Sequence, residues 1–138
     1  MDETFISKCF LIGSNLFISP QDALYYLEND AILVDIRDEY FRNGRTFMVK
    51  NTINLPYSVF EKEWESLPKD RLLIIADYVG LNSKEAVIFL KNKGFQEIAS
   101  LIGGIVDWEK DQMPIKIDRE AELIGSCACR LRPRTNKK

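Results

Sequence analysis

Hydrophobic residues along the chain form two kinds of run, and the two kinds alternate. Short uninterrupted runs have the length of strands and predict strands that are covered on both faces. Runs whose apolar positions recur every three or four residues predict helices with one buried side. The predicted strands are residues 17–18, 31–34, 53–56, 72–76 and 98–101, and the predicted helices are residues 20–28, 57–67, 83–93 and 105–110. This alternation predicts an α/β domain in which helices flank a central, mainly parallel sheet.

Local signals mark where the predicted helices begin and end. Ser19, followed by Pro20 and Asp22, has the pattern of an N-cap, a proline at the first helical position and an acid in the first turn. Ser83 is predicted to cap the helix that comes after the strand 72–76. Gly94 is predicted to end that helix, because glycine adopts the left-handed conformation without strain.

The loop of residues 77–82 is the place where chemistry is expected. It follows the most hydrophobic run of the chain, which should be the central strand, and parallel sheets bind ligands at the carboxyl ends of their strands. Backbone N–H groups of residues 78–83 can converge on the side chain at position 77, and the next helix adds positive potential. This cradle would lower the pKa of a cysteine at position 77, but the chain has Asp77 there.

Composition narrows the possible classes of protein. The 138 residues, 46% of them hydrophobic, predict one domain with a proper core. The absence of histidine excludes Ser-His-Asp and Cys-His hydrolases and any His-ligated metal site. The three cysteines are an odd number and the N-terminus is a poor secretory signal, so we interpret them as thiols of a cytoplasmic protein. The longest uncharged apolar run, residues 9–18, is too short to span a bilayer, and no membrane partner is expected.

Charge is distributed unevenly along the chain. Residues 1–126 carry 14 Lys and Arg against 21 Asp and Glu, a balance of −7, whereas residues 127–138 carry five basic residues and no acid. A nucleic-acid partner is not expected, because the acidic body would repel phosphate and the basic tail has no aromatic residue to stack on a base. A solvated terminus is the simplest interpretation of the tail.

Four segments resemble the rhodanese homology domain, in the order and at the spacing of that family. They are residues 18–23, 33–37 with an Asp-x-Arg strand end, 53–56, and a closing block from Gly94-Phe95 through residues 101–108 to Met113-Pro114. The resemblance covers residues 17–115 and leaves an N-terminal extension, 1–16, and a C-terminal extension, 116–138. It implies a three-layer rhodanese-like fold and sulfur transfer through a cysteine persulfide.

The loop departs from the pattern of the family, which is Cys-x-x-Gly-x-Arg-Ser. Aligned on Gly80 and Ser83, the nucleophile position is Asp77 and the arginine position is Asn82. A carboxylate cannot accept sulfane sulfur from thiosulfate as a thiolate does, and the loop has lost the positive charge that would attract an anionic donor. The resulting degenerate loop consists of Asp77, Tyr78, Val79, Gly80, Leu81, Asn82 and Ser83.

Three interpretations of Asp77 stay open. Its carboxylate can replace the thiolate, accept hydrogen bonds from the cradle and cap the helix. It can instead bind a cation or polar ligand, or act as a nucleophilic carboxylate, for which partner acids that bind a metal are not evident. Asp35 and Arg37 are expected to form an ion pair between the strand and neighbouring loops, with substrate contact as the alternative.

The cysteines offer a second candidate chemistry. Cys127 and Cys129 lie beyond the family resemblance and are followed by three arginines, which should favour ionisation of either thiol. Two thiolates are too few for a closed zinc site, so no metal is expected, but they could trap a persulfide and resolve it as a disulfide. The alternative is a tail without such chemistry. Cys9, flanked by Phe10 and Leu11, is predicted to be a buried small hydrophobe.

Two hypotheses follow from the sequence. The first is a non-catalytic rhodanese-like module that binds or regulates a protein or sulfur-carrier partner. The second is a sulfurtransferase, persulfide carrier or redox protein that uses Cys127 or Cys129. Neither requires a cofactor, and the sequence determines neither the partner nor the oligomeric state.

Overall fold

The computed structural model describes residues 9–12, 15–38 and 44–118. The strands are β1 (Phe10–Ile12), β2 (Asn15–Ile18), β3 (Ile32–Asp35), β4 (Arg45–Phe47), β5 (Thr52–Asn54), β6 (Leu73–Ala76), β7 (Ile98–Leu101) and β8 (Ile115–Ile117). The helices are α1 (Pro20–Leu27), α2 (Phe60–Glu63), α3 (Leu81–Asn92) and α4 (Gly104–Lys110), and 3-10 turns cover Tyr57–Val59 and Trp64–Ser66.

Six strands form the central sheet in the order β1-β2-β7-β6-β3-β5. The five strands from β2 to β5 in that order are parallel, and β1 pairs antiparallel with β2 at one edge. In the register of the sheet, Asp35 at the end of β3 lies opposite Ala76 at the end of β6. The prediction of a mainly parallel sheet with the strand before the loop at its centre is confirmed. The carboxyl ends of β3 and β6 therefore bring residues 35–37 and 77–82 to the same edge of the sheet.

Each face of the sheet has its own hydrophobic core. On one face, α1 and α4 contribute Leu27 and Trp108, which are completely buried against the strands. On the other face, α2 and α3 contribute Phe60 and Leu90. This arrangement is the predicted layering of helix, sheet and helix, and it follows from strands that are apolar on both faces.

The element boundaries confirm some local signals and correct others. Ser19 caps α1 and accepts a hydrogen bond from the amide of Asp22 at 3.3 Å, as predicted. Gly94 has a φ of +97° just after α3, as predicted. The prediction that Ser83 caps α3 is wrong, because the helix begins at Leu81 after Gly80, and Ser83 lies in its first turn.

One predicted helix and the predicted limits of the domain also differ from the structure. The helix predicted over residues 57–67 is a 3-10 turn, a single α-helical turn and another 3-10 turn. The predicted N-terminal extension contains β1 and the start of β2, which belong to the central sheet. The predicted C-terminal extension contains the end of β8, which pairs antiparallel with β4 in a separate two-stranded sheet. No helix in the described residues is long and apolar enough to cross a membrane.

Candidate functional site

The Asp77 carboxylate fills the cradle formed by the loop between β6 and α3. Its Oδ1 accepts a hydrogen bond from the Gly80 N–H at 2.5 Å. Its Oδ2 accepts from the Asn82 N–H at 2.7 Å and from the Ser83 N–H at 3.1 Å. The side chain is 4% exposed. These contacts are the ones expected of a carboxylate that caps a helix, where N–H groups without an intrahelical partner point toward negative charge.

The turn at Gly103-Gly104, where α4 begins, packs against the backbone of the loop. The N–H groups of Ile105 and Val106, in the first turn of α4, donate to the carbonyl oxygens of Asp77 at 3.0 Å and Tyr78 at 3.2 Å. A Cβ on Gly104 would lie 2.5 Å from the Asp77 oxygen. Backbone therefore packs directly on backbone, and a residue larger than glycine at position 104 would push the loop outward. Sequence reasoning treated Gly103-Gly104 only as a turn, although its place in the closing block was a signal for this role.

Ser83 anchors the start of α3 to the sheet. Its hydroxyl lies 2.7 Å from that of Ser100 on β7, and both side chains are buried. Sequence reasoning did not identify Ser100, because a lone serine inside an apolar strand shows no partner until the fold is known. Asn82, by contrast, is exposed, so the position of the family's arginine faces solvent.

Three apolar side chains of the loop point outward rather than into the core. Tyr78 is 51% exposed, Val79 44% and Leu81 69%. Together with Tyr57 and Asp38 they line a small pocket of about 170 Å³ above Asp77. Such a pocket has room for a side chain or a small group and is bordered mainly by apolar surface.

Asp35 and Arg37 form the predicted ion pair beside the loop. Arg37 Nη2 donates to Asp35 Oδ2 at 2.8 Å, Nε donates to Oδ1 at 3.0 Å, and both side chains are 1% exposed. Arg37 also donates to the carbonyl oxygen of Arg45 at 3.0 Å, and its guanidinium lies over the Phe47 ring. The pair thus connects β3 to β4. Arg37 also lines the loop pocket, so the alternative of a ligand contact stays a prediction.

The described residues contain no group of three or more Cys, Asp or Glu that could hold a metal ion.

Cys9 is half-buried against the core beside α1, less buried than predicted. Burial, with a smaller contribution from the Asp22 charge, raises the pKa of its thiol to about 11, so it is a poor nucleophile. Cys127 and Cys129 lie outside the described residues.

Comparison with known proteins agrees with the fold. The model of the rhodanese-like domain family matches residues 19–111. The thiosulfate sulfurtransferase GlpE of Glaesserella parasuis is 31% identical over 119 residues, which cover 85% of this chain and 98% of that protein. A sulfurtransferase of Allochromatium vinosum is 31% identical over 87 residues, covering 62% of this chain and 78% of that protein.

Solved structures show the same fold. A rhodanese-related protein from Thermoplasma volcanium superposes with a TM-score of 0.65 at 27% identity, covering 73% of this chain and 97% of that one. The rhodanese-like domain of the Anabaena protein Alr3790 superposes with a TM-score of 0.61 at 22% identity, covering 74% of this chain and 79% of that one.

Proposed function

The chain belongs to the rhodanese-like family, and on that basis we propose that it is a non-catalytic member in which the loop at Asp77 serves binding or regulation rather than sulfur transfer. The observation that carries the proposal is the occupied cradle: three loop N–H groups donate to the Asp77 carboxylate. In the family's reaction such groups would face a cysteine persulfide.

The chemistry of the loop supports the proposal in two ways. Sulfur transfer from thiosulfate requires a thiolate that attacks the sulfane sulfur and displaces sulfite, and a carboxylate oxygen cannot hold sulfur in an equivalent persulfide. An anionic donor would also meet the Asp77 charge, with Asn82 in place of an arginine. Both differences disfavour binding and reaction of thiosulfate at this loop.

The proposal is tested by a thiosulfate:cyanide assay on the full chain and on the variants Asp77→Ala, Cys127→Ala and Cys129→Ala. We expect background turnover in all four proteins. Turnover above background that is lost in Asp77→Ala would contradict the proposal, because it would place the reaction at this loop.

A second candidate function is sulfur transfer or persulfide carriage by Cys127 or Cys129. It is favoured by the curated relatives, which are named sulfurtransferases, and by the three arginines that follow the two thiols. In the same assay this function requires turnover, or persulfide labelling, that disappears in Cys127→Ala or Cys129→Ala and is unchanged in Asp77→Ala. The odd number of thiols is consistent with a reducing compartment, so a cytoplasmic location is part of both proposals.

A further inference from the structure

A groove runs along the outer side of α3. It has a volume of about 480 Å³ and lies between the segment 57–62 and the helix. Phe60 and Phe89 line it and contact each other edge to face, with ring centroids 5.8 Å apart. Tyr57 lines both this groove and the pocket above Asp77, so the two are neighbours.

The outer side of α3 carries two exposed apolar residues, Leu81 and Ile88, among polar ones. Leu81, Glu85, Ile88 and Asn92 follow one another at helical spacing, and all four are exposed. Leu81 is 69% exposed and Ile88 38%, while the opposite side of α3 supplies the buried core residues. Within the groove itself, the exposed Ile88 lies beside Phe60 and Phe89, so the groove offers apolar surface to one apolar side chain.

The charges around the groove favour a basic occupant. Glu61 and Glu85 line its walls, and Asp38 lines the adjoining loop pocket. Lys62 lines the groove, Lys93 Nζ lies 5.3 Å from the centroid of the groove-lining Phe89 ring, and the Arg37 charge in the loop pocket is already paired with Asp35. Three carboxylates against two lysines leave a net negative charge, which would attract a segment that combines arginines with an apolar residue.

We propose that the groove binds residues 130–134 of the same molecule, the sequence Arg-Leu-Arg-Pro-Arg. Leu131 would contact Ile88 and Phe89, and the arginines on either side of it would meet Glu61 and Glu85. The length of the segment matches the length of α3. The 12 residues of α3 extend about 18 Å at 1.5 Å per residue. Five residues in an extended chain span at most about 18 Å.

The last described residues of the chain lie next to residues that contact the loop pocket. The amide of Asp118 donates to the Gly44 carbonyl at 2.7 Å, and Ile117 pairs with Arg45, whose carbonyl binds Arg37 at the loop pocket. Residues 119–129 separate this point from the basic segment and can span up to about 36 Å. Because the segment is tethered, its effective concentration at the groove would exceed that of a free peptide.

Disulfide trapping in the full chain tests the proposal, because Cys129 is adjacent to the basic segment. Lys62→Cys places a thiol on the groove wall. Lys50→Cys is the matched control, an exposed lysine outside the groove whose replacement changes the net charge equally. Oxidised glutathione serves as oxidant, so that two protein thiols become one disulfide and two molecules of reduced glutathione are released. Peptide mapping identifies the linked cysteines, and urea midpoints verify that both variants are folded.

We expect Lys62→Cys to form an intramolecular disulfide with Cys127 or Cys129 at least about tenfold faster than Lys50→Cys. The difference should shrink in 1 M salt, where screening weakens ion pairs, and should be lost when Leu131→Asp is added. Equal rates for the two variants would overturn the proposal. A disulfide-linked dimer would overturn it as well, because the occupant would then be the tail of a second copy.

This inference rests on the proposed function only in treating the loop side of the domain as a binding surface. Its test does not depend on sulfur transfer. If trapping fails while the thiosulfate assay gives background turnover, only the groove proposal is wrong. If Cys127 or Cys129 transfers sulfur while trapping succeeds, only the non-catalytic proposal is wrong.

Discussion

The carbonyl oxygen of Asp77 accepts a hydrogen bond from the amide of Ile105 at 3.0 Å. Asp77 is therefore held at two points. Its carboxylate binds the first turn of α3, and its carbonyl binds the first turn of α4. Two helix N-termini, each with N–H groups that lack intrahelical partners, meet at one residue. This explains how a loop with three exposed apolar side chains keeps a defined backbone.

Asp77→Ala should lower the free energy of unfolding by about 0.5–2 kcal/mol, the range for loss of a helix cap with charge-assisted hydrogen bonds. Asp77→Asn should fall between wild type and alanine, because it keeps one acceptor oxygen but loses the charge that the helix N-terminus favours. Urea unfolding with equal slopes measures the order. Asp70→Ala, at an exposed aspartate, is the control and should have little effect. An alanine variant more stable than wild type would point to a ligand-binding role for Asp77 instead.

Asp77→Cys should produce a thiol of lowered pKa, because the cradle N–H groups favour the thiolate. In a background with Cys127→Ser and Cys129→Ser, alkylation should be rapid near neutral pH, and Cys9 should react slowly. Thiosulfate turnover should return only in part, and adding Asn82→Arg should increase it. Alkylation at the rate of a free thiol would show that the cradle does not stabilise a thiolate.

Gly104→Ala should destabilise the protein more than Gly94→Ala. Both glycines have positive φ, +59° and +97°, so each substitution carries the strain of a left-handed alanine, about 1–2 kcal/mol. Only at position 104 would the new Cβ also collide with backbone, at 2.5 Å from the Asp77 oxygen; at position 94 it meets the end of the Lys69 side chain at 3.4 Å. Hydrogen exchange should show faster exchange of the Gly80 and Asn82 amides in Gly104→Ala alone. Equal effects of the two substitutions would argue against tight packing behind the loop.

Asp35→Ala should lower the free energy of unfolding by about 3–5 kcal/mol, because it leaves the buried Arg37 charge without its carboxylate. The double variant Asp35→Leu with Arg37→Met should cost less than Asp35→Ala, since no buried charge is left uncompensated. Thermal or urea unfolding distinguishes the two cases. Ser58→Ala, which removes an exposed hydrogen bond to Asp38, is the control and should be nearly neutral. A small effect of Asp35→Ala would mean that water reaches Arg37.

Cys9 should make stability fall at alkaline pH. Its pKa is raised from 9.0 to about 11 in the folded protein, chiefly by burial, so the fold favours the protonated thiol. Its contribution is fully present below pH 9 and is lost as pH rises through 11. The free energy of unfolding should therefore decline less over this interval in Cys9→Ala than in wild type. Parallel pH profiles for the two proteins would contradict the raised pKa.

The apolar runs of the sequence determined the architecture, because strands buried on both faces need helices on both sides, and the run 72–76 was correctly predicted to be central. The order of motifs also identified the family, and the Asp35–Arg37 pair was correctly predicted.

Local sequence patterns do not predict contacts between residues that are distant in the sequence. Only the tertiary structure revealed that Gly104 supports Asp77 and that Ser83 contacts Ser100 instead of capping α3. The groove beside α3 is likewise formed by segments far apart in the chain, and the exposure of Leu81 and Ile88 is a property of packing that periodicity alone does not specify.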